Sequence, residues 1–154
     1  MESTTLASGE DAGLILRLYE LRRETTMRAA RHWVVAEFWP DSAAEVLSIY
    51  KDFGSQHDQY LRQVMSYWEM AASFVTRGAL DGDMFFECNT EPTFLLAKFH
   101  PFLEEIRTQR PEFLVRTEQL ATKHAIGRAH FERVVKRLSN RPGSVYQGLT
   151  IAAG

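Results

Sequence analysis

The apolar positions of this chain recur at intervals of three and four along most of its length. The clearest run is Leu61, Val64, Trp68, Ala71 and Val75, one face of a helix from about Asp58 to Arg77. Tyr60, Tyr67 and Phe74 widen that face on one side, and Gly78 stops the helix. Upstream, Ala12 to Trp39 has a single early glycine and no proline and is rich in Leu, Arg, Ala and Glu, which predicts a long helix. Pro40 ends it, because the residue before a proline is pushed out of the helical region. Its apolar positions fall into two sets, Leu14, Ile15, Leu18 and Tyr19, then Met27, Ala30, Val34 and Phe38, separated by the polar "RRETT". A shorter helix follows, with Asp41 or Ser42 as cap and Glu45 completing a capping box with Ser42. It carries Val46, Leu47, Tyr50 and Phe53 on one face and stops at Gly54.

In the second half, Asp81 caps a brief helix over "LDGDMFFECN". From Thr90 or Thr93 an apolar helix runs through Phe94, Leu95, Phe99, Leu103 and Ile106, and Pro101 must kink or restart it by removing a donor. Pro111 suits the first turn of a last long helix to about Leu138, with the stripe Phe113, Thr117, Leu120, His124, Gly127, Phe131, Val134 and Leu138. Strand-like alternation is missing before the last ten residues. These patterns predict an all-α fold: a single-domain bundle of about six helices, three of them long. Residues 1–11 read as a flexible lead-in, 12–139 as the bundle and 140–154 as a tail.

Composition narrows the function classes. With 45% hydrophobic and 25% charged residues the chain has the profile of a soluble globular domain. A net charge of -2 supplies no global footprint for nucleic acid or an anionic membrane. The single cysteine, Cys88, excludes an internal disulfide and a CxxC metal knuckle and fits a reducing cytoplasm. The N-terminal residues lack the basic and apolar regions of a signal peptide. "WVVAEFW", interrupted by Glu37, falls far short of the roughly 20 apolar residues of a membrane span. A cytoplasmic location follows as the expectation.

Metal and cofactor chemistry find no ligand spacing. The five histidines form neither a Glu-x-x-His motif nor an i,i+4 pair, so no metal and no cofactor are expected. A G-x-S-x-G elbow and a glycine-rich phosphate loop are both missing. Arg17, Arg22, Arg23, Arg28, Arg31 and His32 make a basic run, but Glu20 and Glu24 interleave at pairing distance, which favours a solvated face over a nucleic-acid surface. His124 interrupts the last stripe and reads as a hydrogen-bonded core histidine, with a pocket ligand as the alternative. Gly127 on the same stripe predicts a close approach to a neighbouring helix, since a mid-helix glycine costs roughly 1 kcal/mol without a packing reason.

Glu69 directly follows Trp68 at the border of the buried face, where a carboxylate needs hydrogen bonds or a cation. Arg22 and Arg23 in the polar gap and Arg107 after Ile106 are available, and Arg23 is the preferred partner, in a bidentate geometry. The rival reading makes Glu69 a general base in a cleft. Glu69, Arg22, Arg23, Arg107 and His124 therefore form the candidate buried polar network. Met84, Phe85 and Phe86 stand in succession on a helix too short to bury all three, which predicts an interface and a homodimer.

The segments "RRETTMRAARHW", "YWEMAASFVTRGALDGDMFF" and "FLEEIRTQRPEF" resemble small bacterial all-helical proteins grouped as domains of unknown function. The likeness covers about Leu14 to Leu138. It implies the helical fold and no activity, and a membrane role tied to the membrane helices that precede the domain in some members is not expected to carry over. The leading expectation is a non-enzymatic cytoplasmic binding or regulatory protein that meets an unknown protein partner through a helical surface. The alternatives are a small-molecule-binding protein or enzyme with a cleft near Glu69 and His124, and a nucleic-acid binder using the arginine-rich first helix.

Overall fold

The polar "RRETT" is a helix break. In the computed structural model, which describes residues 6–142, 144–146, 148, 149 and 151, the expected helix from Ala12 to Trp39 is three pieces: α1 (Gly9–Arg22), α2 (Thr25–His32) and a π-helical turn, Trp33–Glu37. The Glu24 carboxylate accepts from the amides of Thr26 at 3.1 Å and Met27 at 2.9 Å, so the gap supplies its own cap and starts a new helix. α1 itself begins inside the expected lead-in. Asp11 accepts from the Ser8 amide at 2.6 Å while the Ser8 hydroxyl accepts from the Asp11 amide at 3.3 Å, a capping box. Residues 1–5 of the lead-in, and residues 143, 147, 150 and 152–154 of the tail, lie outside the described residues.

α3 (Ala43–Lys51) starts at Ser42, whose hydroxyl accepts from the Glu45 amide. The Glu45 carboxylate reaches the Asp41 amide at 2.7 Å rather than closing the expected box on Ser42. Because α3 ends at Lys51, Phe53 leaves the expected apolar face and is 80% exposed. Gly54 turns the chain at φ +85°, a conformation that L side chains rarely adopt. α4 (Gln56–Thr76) carries the predicted stripe, and Leu61, Val64, Trp68, Ala71 and Val75 are all buried.

α5 (Gly82–Cys88) is capped by Asp81 as expected. α6 (Glu91–Phe99) passes at Pro101 into a 3-10 turn, His100–Phe102, and restarts as α7 (Leu103–Arg107). The last long helix is two helices, α8 (Val115–Lys123) and α9 (Ala125–Ser139), because His124 adopts an extended conformation at φ -98°, ψ 125°. Pro111 lies in the turn ahead of α8 and outside its first helical turn. The chain is all-helical over the described residues, with more and shorter helices than the expected six.

α4 packs against α2, α3 and α8, and α9 packs against α5, α6 and α8. Trp68, Phe85, Phe86, Phe99 and Phe131 are fully buried where these helices meet, each contributing roughly 1.5–3 kcal/mol relative to exposure. Gly127 makes the expected close approach: a Cβ there would stand 2.9 Å from the Phe86 ring. α5 buries two successive phenylalanines by facing two neighbours. Phe85 sits edge-on to Trp68 of α4 at 6.2 Å between ring centroids, and Phe86 fills the space opposite Gly127 of α9.

Candidate functional site

Glu69 is an acceptor, and its donors are two backbone amides and a hydroxyl of α8. Oε1 accepts from the Thr117 amide at 2.9 Å and the Thr117 hydroxyl at 2.7 Å, and Oε2 accepts from the Arg116 amide at 2.9 Å. Glu69 of α4 thereby caps the N-terminus of α8 from another helix. The local sequence needs this, because Leu114, at the cap position, is left-handed at φ 53° and has no side chain able to cap. The Arg116 guanidinium stands 3.8 Å from Oε2, as a supplement to the backbone bonds.

The arginines expected to answer Glu69 are occupied elsewhere. Arg22 donates to Asn89 Oδ1 at 3.0 Å, Arg23 lies over the Tyr19 ring at 5.3 Å, and Arg107 donates to the Phe113 carbonyl and to Glu118, both at 2.9 Å. His124 makes its contacts elsewhere. Its ring covers Gly82, where a Cβ would collide with it, and Nδ1 stands 3.6 Å from Asp83. The expected five-residue network is thus distributed over separate contacts. Of the expected interface, Phe85 and Phe86 belong to the core of their own chain, which leaves Met84 half-buried.

Two polar arrangements escape sequence reasoning. Arg31 donates three bonds of 2.6–3.0 Å to the Glu91 carboxylate, which also accepts from Trp68 Nε1 at 3.0 Å. Those bonds to Glu91 raise the Arg31 pKa. Neighbouring Tyr67 donates to the Leu18 carbonyl, and burial pushes its pKa up to about 12. The second is Lys98, wholly buried on the inner face of α6. Its ammonium donates to the carbonyls of Val34 at 2.5 Å and Val35 at 3.2 Å, within the π-helical turn, and lies 4.1 Å from the Trp39 ring centre. Burial, helped by the Arg141 charge, lowers the Lys98 pKa to about 7. The only visible signal was a lysine placed where the apolar period runs through "FLLAKF".

A groove of about 830 Å³ lies between α4 and the segment from Arg110 to Arg116. Met65, Met70, Phe113 and Leu114 supply apolar wall, and Arg62, Arg110 and Arg116 border it. Tyr50 is flanked by two guanidiniums, Arg110 at 4.0 Å and Arg62 at 5.1 Å from its ring centre. Asp58, almost wholly buried, holds Arg62 Nε at 2.6 Å. Among the described residues no group of three His, Cys, Asp or Glu side chains is placed to hold a metal ion. No helix among them is long and apolar enough to cross a membrane.

A family model described as a domain of unknown function (DUF4760) matches residues 7–124, well over half of the chain. The chain belongs to the DUF4760 family. The α4 groove lies wholly within the DUF4760 span, whereas α9 begins just beyond it. No curated protein and no solved structure matches the chain.

Proposed function

We propose that the protein is a single-domain helical bundle, over about residues 12–139, that acts in the cytoplasm as a non-enzymatic binding protein. Its ligand is a small amphipathic anion with an apolar body, held along α4. The observation that carries this reading is the groove of about 830 Å³, apolar along Met65, Met70 and Phe113 and edged by three guanidiniums. That volume and lining fall within the range of small-molecule sites. Arg110 and Arg116 have side chains with solvent access, so they can turn to a carboxylate at the groove mouth.

A catalytic role for Glu69 has little room. Both its oxygens are engaged by α8 donors, so abstraction of a substrate proton would uncap that helix. The nucleic-acid alternative weakens for a similar reason: Arg22, Arg23 and Arg31 already meet Asn89, Tyr19 and Glu91.

Calorimetric titration with dodecanoate, dodecanol and dodecylamine tests the proposal. Dodecanoate is expected to bind saturably and more tightly than the other two, and Arg110→Gln with Arg116→Gln to remove that preference. Equal binding of the amine, or no saturable binding of dodecanoate, refutes it.

A further inference from the structure

A second concavity of about 280 Å³ opens between the N-terminus of α6 and one face of α9, and it shares no lining residue with the α4 groove. α9 contributes His130, Arg133 and Arg137, spaced three and four apart and therefore on one face of the helix. Both arginines are exposed, and among the described residues neither Arg133 nor Arg137 meets a carboxylate or any other hydrogen-bond acceptor. The one acidic residue in the lining, Glu91, is already neutralised by Arg31 and accepts from Trp68. His130 Nδ1 is buried without a partner, which is unfavourable unless something else supplies one.

The opposite wall adds donors. Thr90, at the cap position of α6, makes no side-chain capping bond, and Pro92 leaves the first turn with the amides of Glu91 and Thr93. Two unpaired guanidiniums and a helix start without a side-chain cap therefore border one small cavity.

We propose that this cavity binds a phosphate group, as free inorganic phosphate or as the phosphate of a small monoester. A guanidinium fork matches two phosphate oxygens at once, and the pair on α9 supplies two such forks. The helix N-terminus faces the anion with its positive end. At about 280 Å³ the space accommodates the phosphate with only a short carbon body, which excludes a nucleotide.

The test is calorimetric titration of the full chain with inorganic phosphate and with glycerol phosphate, at constant ionic strength balanced with chloride. Saturable binding of either is expected, and the tighter of the two names the source. Losing one fork removes charge-assisted bonds worth roughly tenfold or more in affinity, so Arg133→Gln and Arg137→Gln should each weaken binding by about that factor. Arg23→Gln, just past the end of α1, should leave it unchanged. Both α9 arginines are exposed and unpaired, so the variants should melt like the parent in chloride buffer. Absence of saturable binding, or binding that survives the double Arg133→Gln and Arg137→Gln variant, overturns the proposal.

Discussion

Removing the Glu69 carboxylate tests the interaction that joins α4 to α8. Glu69→Ala deletes three hydrogen bonds of 2.7–2.9 Å and leaves the Arg116 and Thr117 amides without a cap. Thr117 is 1% exposed, so water cannot readily replace the lost acceptor at its amide and hydroxyl. A lost cap costs about 1 kcal/mol and up to ~2, and a buried donor left unsatisfied adds about 1–3 kcal/mol, so a loss of roughly 3 kcal/mol is expected. For a domain of this size that lowers Tm by roughly 6–12 °C. Glu69→Gln keeps one acceptor oxygen but turns an NH2 group towards a backbone N–H, and should lose about half as much. Urea unfolding followed by circular dichroism measures both variants. Hydrogen exchange should show faster loss of protection at Thr117 than at Leu61. Double-mutant cycles distinguish the donors. Glu69→Ala should couple to Thr117→Val and be additive with Arg23→Ala to within about 0.5 kcal/mol. Coupling to Arg23, or an unchanged midpoint in Glu69→Ala, refutes the capping role.

Gly127→Leu should destabilise by about 1–3 kcal/mol or more, because even a Cβ at that position stands 2.9 Å from the Phe86 ring. An unchanged melting temperature would show that Phe86 can move aside. Lys98 predicts a pH dependence. Its ammonium is held until about pH 10.5 in the unfolded chain but released near 7 in the folded one, so the unfolded state binds more protons between those values. Stability should therefore rise with pH through that window, by at most about 1.4 kcal/mol per unit, and lose this contribution as pH falls towards 7. Denaturant unfolding from pH 7 to 9.5 should show that slope in the parent and lack it in Lys98→Met, and identical slopes would refute it.

Much of the helical pattern was legible because its causes are local. The caps at Ser42 and Asp81, the stops at Gly54 and Gly78, the restart at Pro101 and the buried stripe of α4 each depend on residues within a few positions of one another. Gly127 was legible for a related reason: a glycine inside an apolar period has few explanations other than a close neighbour. The breaks at Glu24 and His124 were missed, because "RRETT" and "TKHAI" contain good helix formers and no proline or glycine. At Glu24 the cap is local but comes from a glutamate, an uncommon residue for that task, and at His124 the ring's place over Gly82 exists only once α5 has docked. Glu69 marks the boundary most clearly. Its place at the edge of the apolar face announced that some donor must answer it, and side-chain cations were the donors that a sequence displays. Every non-proline residue also carries an amide, so nothing in the letters distinguishes Arg116 and Thr117 as the ones left uncapped at the start of α8. That choice, like those joining Arg31 to Glu91 and Lys98 to the π-helical carbonyls, pairs groups 47 to 64 residues apart. Periodicity determines which face of each helix is buried, whereas only the packing of helices against one another determines which polar groups meet at its border.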